Sequence, residues 1–247
     1  GDAAGGGPAD PAEALRRRLL PRPRRVRLGD AAATDPADGT GEMRPWGDAM
    51  LRWRTDAARP AGSLRIRVGL TEDSRRRIDL DIAGDDARRR ATAILGQLEV
   101  ELGPVAGWPR LEITDAPRIP RRGVMLDVSR DRVPSMDALR QRIPRLAAVG
   151  FDHLQCYTEH AFAYAGCEAV WGDASPITPE ELRTLDGVAA DCGVELAANQ
   201  NCFGHLHRWL ATPAFAPLAE THGTFDFFGV PRQGPFSLCP TDPASLE

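Results

Sequence analysis

Three predicted strands in the second half of the chain are each followed by polar side chains that could bind a ligand or transfer protons. In chain order, the three groups are Asp127, Ser129 and Arg130, then Thr158, Glu159 and His160, then Asn199, Gln200, Asn201 and His205. In a (β/α)8 enzyme the working residues lie at the carboxyl ends of the strands and in the loops that follow them. An arginine, a carboxylate and a histidine at successive strand ends therefore predict one convergent polar site.

The strands that must position this site are short and apolar. Residues 123–128 (GVMLDV) form a continuous apolar run, which is typical of a strand buried on both faces of a parallel sheet. Residues 153–159 (HLQCYTE) and 194–201 (VELAANQN) are the next two predicted strands, and Cys156 is predicted to be a small core residue.

Helices are predicted between these strands. Ser135 can cap a helix that should be kinked by Pro144 and end at Gly150. Thr178 begins a capping box with proline at the first helical position, and its helix runs to Gly193. The resulting order βαβαβ predicts a parallel sheet with right-handed crossovers.

The first half of the chain has a different pattern. Residues 1–23 are predicted to be a flexible lead-in, since the start of the segment is rich in Gly, Ala, Asp and Pro without periodicity. Within residues 24–116, apolar side chains alternate with polar ones in three predicted strands, around Val26, at 64–68 and at 78–82. Residues 85–102 then show helical spacing, with Asp85 or Asp86 available as the N-cap. We therefore predict an α/β domain over 24–116 and a second domain over 117–247.

Composition narrows the class of protein. The 247 residues are 42% hydrophobic and 27% charged with a net charge of -4, so a nucleic-acid partner is not expected. Five cysteines without CxxC spacing argue against a disulfide framework and a structural zinc site. No apolar run reaches the ~20 residues needed to cross a bilayer, so no membrane partner is expected. The protein is expected to be cytoplasmic, although a chain that starts at Gly1 is also compatible with a leader peptide that has been removed.

Three segments carry a resemblance to a known family. Residues 113–134 (ITDAPRIPRRGVMLDVSRDRVP) resemble the domain junction and first barrel strand of family 20 glycoside hydrolases, the β-N-acetylhexosaminidases. Residues 154–164 (LQCYTEHAFAY) and 199–205 (NQNCFGH) resemble the second-strand and third-strand segments. The resemblance implies a small zincin-like α/β domain followed by a (β/α)8 (TIM) barrel, a carbohydrate substrate and no cofactor.

The same resemblance implies roles for individual residues. Arg130 would grip the O3 and O4 hydroxyls of the non-reducing sugar, and Glu159 would contact His205, which supports the general acid. Asp127, Asn201 and His160 complete the predicted substrate-binding set, although the resemblance implies no specific role for His160.

The family's reaction is substrate-assisted: an Asp at the end of the fourth strand orients the 2-acetamido group, and an adjacent Glu protonates the leaving oxygen. No such pair follows a fourth strand here. The chain stops within a helix that begins at Asp242-Pro243. We therefore expect a truncated barrel that is inactive alone, with the acid pair beyond Glu247.

Two other functions are left open by the sequence. A sugar-binding barrel protein could keep Arg130 without ever having the acid pair. His205 and His207 form an HxH pair, as in metal-dependent hydrolases of the same barrel class, although those proteins usually carry it at the first strand. Arg130 alone could also be a structural partner of Asp127 or Asp131, and Trp171 and Trp209 are predicted to pack rather than to bind sugar.

Overall fold

The computed structural model of the chain divides into two compact units. One unit comprises Gly1–Arg122 with Arg145–Phe151, and the other comprises Gly123–Pro144 with Asp152–Glu247. The residues that the structure describes are 10–19, 23–29, 42–46, 48–70, 76–131 and 133–246.

The first unit is built on a six-stranded mixed sheet. Its strand order is β1-β6-β4-β5-β3-β2, and only the β3–β5 pairing is parallel among these described strands. The elements are α1 (Pro11–Arg18), β1 (Arg25–Leu28), β2 (Glu42–Trp46), β3 (Ala49–Thr55), β4 (Leu64–Leu70), β5 (Arg76–Ile82), α2 (Asp85–Leu102) and β6 (Leu111–Asp115).

The core of this unit lies between the sheet and α2. The helix buries one stripe of apolar side chains, because residues three and four apart lie on the same helix face. The stripe consists of Ala87, Ala91, Ile94, Leu95 and Leu98. The predicted helix and the three predicted strands are thus confirmed.

Several local predictions for this unit were wrong. The N-cap of α2 is Gly84, whose φ of 91° favours glycine, and Asp85 and Asp86 lie instead in the first helical turn. Within the predicted lead-in, Pro11–Arg18 form α1 because Asp10 caps the helix by accepting a hydrogen bond from the Ala12 amide. Residues 1–9 and 20–22 of that lead-in lie outside the described residues.

Ion pairs cross one face of the sheet. Arg52 Nε lies 2.6 Å from Asp79 Oδ1, and Arg67 Nη2 lies 2.9 Å from Asp81 Oδ2. Arg77 Nε donates to the second oxygen of Asp79 over 2.9 Å. These carboxylates are buried but paired, as buried charges must be.

The second unit contains a three-stranded parallel sheet with the order β7-β8-β9. The crossover helices begin as predicted: Ser135 Oγ accepts from the Ala138 amide, and Thr178 and Glu181 form the capping box. Pro144 lies inside its helix. The elements are β7 (Gly123–Asp127), α3 (Met136–Ala148), β8 (His153–Tyr157), α4 (Glu168–Trp171), α5 (Pro179–Asp191), β9 (Glu195–Asn199), α6 (His207–Leu210), β10 (Thr224–Phe227) and β11 (Val230–Gln233). The last residues of α3, from Arg145 onward, are grouped with the first unit.

Strand β7 differs from its prediction, because it is not buried on both faces. Met125 is 56% exposed, and β7 pairs with β8 alone in the part of the chain that the structure describes. An apolar run identifies a strand, but its burial depends on elements that the run does not specify. Within the described residues, β7, β8 and β9 form an open sheet and no closed barrel.

Cys156 is buried in this unit, as the sequence predicts. The five cysteines are free thiols in the structure. Asp242 caps a single 3-10 turn, Pro243–Ser245, by accepting from the Ala244 amide. Among the described residues of both units, no helix is long and apolar enough to span a membrane.

Candidate functional site

The carboxyl ends of the three parallel strands bring the predicted polar residues together. Asp127, Tyr157 and Asn199 are register partners at the last position of β7, β8 and β9. The residues that follow continue this alignment, since the Thr158 amide donates to the Asn199 carbonyl over 3.2 Å. The three groups therefore share one edge of the sheet, as the sequence predicts.

Arg130 spans two carboxylates at this edge. Its Nε donates to Asp127 Oδ2 over 2.8 Å, and its Nη1 lies 3.7 Å from Glu159 Oε1. The guanidinium lies over the Tyr157 ring, 5.4 Å from the centroid. About half of the side chain is exposed, so donors remain accessible to a ligand. The hydrogen bond to Asp127 and the charge of Glu159 raise the pKa of Arg130.

Asp127 is fixed from two sides. Burial raises the pKa of its carboxyl, but hydrogen bonds from the Ser129 hydroxyl and amide and from Arg130 outweigh burial and lower the pKa. Ser129 donates to Oδ1 through both its amide, over 2.9 Å, and its hydroxyl, over 2.7 Å. Arg130 donates to Oδ2. Asp127 is therefore an ionised carboxylate that orients the guanidinium.

Glu159 lies at the centre of the site. Its side chain is 13% exposed. Oε1 accepts a 2.7 Å hydrogen bond from the Tyr157 hydroxyl and lies 3.6 Å from His205 Nδ1. Oε2 lies 3.9 Å from His160 Nδ1. The predicted neighbours Glu159 and His205 are thus within ion-pair distance.

The backbone of Glu159 is also held. Its carbonyl oxygen accepts hydrogen bonds from Gln200 Nε2 over 2.7 Å and from Trp209 Nε1 over 3.1 Å. Trp209 therefore has a positioning role in addition to packing against Tyr164 and Phe215.

His160 is buried and contacts Arg208. Arg208 Nη1 lies 3.2 Å from His160 Nε2, and Arg208 Nη2 pairs with Asp173. Burial and the charge of Arg208 lower the pKa of His160. With 8% of its surface exposed, His160 is a neighbour of Glu159 rather than part of the open surface.

Asn201 contacts the same group of residues through Tyr157. Its Nδ2 donates to the Tyr157 hydroxyl over 3.0 Å. Its Oδ1 is buried and has no hydrogen-bond partner among the described residues. Burial and the hydrogen bond to Glu159 raise the pKa of Tyr157, so this phenol stays neutral and bridges the two side chains.

Backbone strain is concentrated at this edge. Four non-glycine residues of the described chain have positive φ, and three of them are Asp131 (52°), Glu159 (45°) and His205 (59°). Such conformations persist only where the surroundings enforce them, and they cluster at functional sites.

Two residues of the site were not assigned a role from the sequence. Tyr157 could have been found, because alternation along β8 buries Leu154 and Cys156 and places Tyr157 on the opposite face. Arg208 gives no local signal, since it lies in α6, 48 residues beyond the histidine it contacts.

The two histidines of the HxH pair have different surroundings. His205 faces Glu159, whereas His207 Nδ1 lies 2.9 Å from the Pro235 carbonyl oxygen. In the described part of the chain, no group of three or more His, Cys, Asp or Glu side chains could hold a metal ion.

Comparison with known proteins adds information about the fold. No protein-family model matches the chain, and no curated protein sequence matches it. Solved structures of glycoside hydrolases do match, and they define the class: the chain has a mixed α/β fold shared with family 20 β-N-acetylhexosaminidases. The resemblance drawn from the sequence is confirmed at the level of the fold.

Three of these structures illustrate the match. The exo-β-N-acetylglucosaminidase of Vibrio harveyi, in complex with N-acetylglucosamine, is 15% identical over 98% of this chain and 44% of its own, with a TM-score of 0.67. A mutant β-hexosaminidase of Streptomyces plicatus, in complex with its product GlcNAc, is 18% identical over 94% of this chain and 55% of its own, with a TM-score of 0.61. The β-N-acetylhexosaminidase of Bacteroides fragilis is 21% identical over 79% of this chain and 40% of its own, with a TM-score of 0.60. The chain thus spans about half the length of the solved structures it matches.

Proposed function

We propose that this chain belongs to a family 20 glycoside hydrolase that removes terminal β-linked N-acetylglucosamine or N-acetylgalactosamine. In this proposal, residues 24–116 are the zincin-like α/β domain, and residues 117–247 are the first part of a (β/α)8 barrel. The shared fold supports the proposal. A cytoplasmic location stays a prediction.

The observation that carries the proposal is the placement of Arg130. Its guanidinium is fixed by Asp127 yet about half exposed at the carboxyl edge of the parallel sheet. A planar fork of N–H donors suits the two neighbouring hydroxyls of a sugar better than a point charge does. We assign the O3 and O4 hydroxyls of the terminal sugar to Arg130, and Asp127 keeps the fork in place.

Glu159 and His205 form the second part of the proposed site. A carboxylate next to an imidazole orients the ring and fixes its tautomer, which makes the histidine a suitable partner for a general acid. His205 Nδ1 faces Glu159, and half of its side chain is exposed on the other side. Asn201 is proposed as a further substrate-binding residue beside Tyr157, to whose hydroxyl its Nδ2 donates.

The remaining chemistry belongs to groups outside these 247 residues. In substrate-assisted hydrolysis the acetamido oxygen of the sugar attacks the anomeric carbon. This is an exception to the common scheme, in which one enzyme carboxyl group is the acid and a second is the nucleophile or base. The proposed proton donor is a Glu after a fourth barrel strand, preceded by an Asp that orients the acetamido group. We propose that both lie in a longer protein, since the matched structures are about twice as long as this chain.

The test uses a longer protein that contains this chain and the 247-residue chain side by side. We expect the longer protein to release para-nitrophenol from the β-N-acetylglucosaminide and β-N-acetylgalactosaminide but not from the β-glucoside, which has no acetamido group. The 247-residue chain should be inactive, because loss of general acid catalysis alone removes a factor of ~10²–10⁴.

Other outcomes decide against parts of this proposal. Equal turnover of the glucoside would contradict the substrate-assisted reaction, and clear turnover by the 247-residue chain would contradict the assignment of the acid. Binding of N-acetylglucosamine by the longer protein without hydrolysis would favour a non-catalytic sugar-binding barrel.

A further inference from the structure

His160 occupies a position that the proposed reaction does not explain. It directly follows Glu159, yet its side chain is buried and both ring nitrogens face protein groups. Nε2 lies 3.2 Å from Arg208 Nη1, and Nδ1 lies 3.9 Å from Glu159 Oε2. A sugar-binding role would require an accessible nitrogen, so a different role is needed.

The contact with Arg208 determines where the ring proton lies. A guanidinium carries only N–H donors and accepts no hydrogen bond. His160 Nε2 must therefore be the acceptor of this contact, which leaves the single proton of a neutral ring on Nδ1. Arg208 pairs in turn with Asp173, so the guanidinium that contacts His160 Nε2 is itself held in place.

The charges around the ring favour the same state. Arg208 from α6 repels a second proton, whereas Glu159 after β8, Asp173 after α4 and Asp127 at the end of β7 attract one. Burial and Arg208 outweigh the three carboxylates, because the pKa of His160 is lowered. Geometry and charge thus agree on a neutral ring.

The nitrogen that carries the proton faces the free side of the Glu159 carboxylate. Oε1 already accepts from Tyr157 and lies near Arg130 and His205. Oε2 accepts no hydrogen bond in the described residues, and His160 Nδ1 is the donor near it. At 3.9 Å this contact is longer than a hydrogen bond, so a small movement of either side chain is needed to close it.

We propose that His160 is a positioning residue: Arg208 fixes it as the neutral Nδ1–H tautomer, and this N–H holds Oε2 of Glu159 so that Oε1 faces His205 and Arg130. Without the second donor, the carboxylate could rotate and lose the alignment with His205. The inference rests on the proposed function for its catalytic consequence, but the tautomer itself can be measured without any activity.

The first experiment measures the tautomer by nitrogen NMR on the 247-residue chain, with the His160 signal assigned by its loss in His160→Asn. We expect a protonated Nδ1 and an unprotonated Nε2 at neutral pH. Arg208→Lys should retain this state because lysine is also only a donor, whereas Arg208→Ala should give a mixture of tautomers. Arg183→Ala, which removes an exposed arginine paired with Glu180, is the matched control and should change nothing.

An Nε2–H tautomer, or a doubly protonated ring at neutral pH, in the unsubstituted chain would overturn the proposal. This result is read in the unsubstituted chain, and the His160→Asn variant serves only to assign the signal.

The second experiment uses the longer, active protein and compares two amides. His160→Asn places an N–H near the position of Nδ1, whereas His160→Gln places its amide near Nε2. We expect His160→Asn to keep kcat within about threefold and His160→Gln to lose roughly tenfold or more, with smaller changes in KM. Equal losses in both variants would reject positioning through Nδ1. Absence of hydrolysis by the unsubstituted longer protein would instead reject the proposed function, and the NMR result would still decide the tautomer.

Discussion

The Tyr157 hydroxyl donates a 2.7 Å hydrogen bond to Glu159 Oε1, although the two residues are separated by one position in the chain. Strand β8 ends at Tyr157, and the left-handed φ of Glu159 directs its side chain back towards the Tyr157 phenol. The same phenol accepts from Asn201. Tyr157 thus connects the ends of two strands with the carboxylate at the centre of the site.

Removing this hydroxyl should destabilise the second unit. Tyr157→Phe removes the hydrogen bond that Glu159 Oε1 accepts and leaves Asn201 Nδ2 without its acceptor, and a buried polar group left unpaired costs about 1–3 kcal/mol. Tyr164→Phe is the matched control, because Gln200 Oε1, which accepts from Tyr164, also accepts from Thr158. We expect urea unfolding to show a clearly larger loss for Tyr157→Phe. Equal losses would mean that the phenol is not a central contact.

The role of Arg130 can be tested in the longer, active protein. Arg130→Ala should lower kcat/KM strongly, since two sugar hydroxyls lose charge-assisted donors worth about 1.5–3 kcal/mol each. Arg130→Lys should restore little, because an ammonium does not reproduce the planar fork. Arg140→Ala removes an exposed arginine and serves as the control. Near-normal kcat/KM in a folded Arg130→Ala protein would return Arg130 to a purely structural pairing with Asp127.

Gly123 should tolerate no side chain. A Cβ at this position would lie 2.8 Å from His153 Cδ2 on the neighbouring strand. Gly123→Ala should therefore reduce the free energy of unfolding by about 1–3 kcal/mol through overpacking. Gly187→Ala, in α5, meets nothing within 4 Å and should stabilise the helix by roughly 0.5–1 kcal/mol. Thermal unfolding of the two variants should shift in opposite directions, and a shared sign would contradict the register of β7 and β8.

The sheet of the first unit should depend on Asp79. This carboxylate is 2% exposed and pairs with both Arg52 and Arg77, so Asp79→Asn removes a buried charge that two partly buried arginines share. Breaking a buried pair from one side costs about 3–5 kcal/mol. Asp86→Asn breaks an exposed pair with Arg89 and should cost less than about 1 kcal/mol. Denaturant unfolding measures both, and a minor loss for Asp79→Asn would show that the pair is dispensable.

The buried His160 should make stability depend on pH. Its pKa is lowered in the folded chain by burial and by Arg208, so the unfolded chain binds the proton more tightly. The stability that the neutral His160 ring contributes is fully present above its pKa of about 6.5 in the unfolded chain. It is lost as the pH falls from there through the pKa in the folded chain. Between about pH 5 and about pH 7.5, the free energy of unfolding should fall more steeply with decreasing pH for the unsubstituted chain than for His160→Asn. Parallel curves would mean that His160 does not titrate with unfolding.

The sequence predicts the parts of the structure that depend on local pattern. Alternation identifies β4 and β5, and Thr178 with Glu181 marks the start of α5, because these signals need only neighbouring residues. The edge shared by Arg130, Glu159 and His205 also follows, since parallel strands align their ends.

The missed features depend on residues distant in the chain or on backbone conformation. Arg208 meets His160 only through the path of the loop between them, and Gly84 replaces an aspartate as N-cap because of its positive φ. The exposure of Met125 depends on what covers β7, which no pattern within the strand reveals.

The positive φ angles at Asp131, Glu159 and His205 set a limit on how this chain can be made more stable. Each left-handed non-glycine residue costs about 1–3 kcal/mol, which a glycine at the same position largely avoids. A library screened for thermostability alone would therefore favour glycine at these three positions. It would then lose the Glu159 carboxylate and the His205 imidazole, which form the site. Selection that retains the acid and the imidazole must accept a less stable second unit, so the stability–activity trade-off in this protein is located in its backbone.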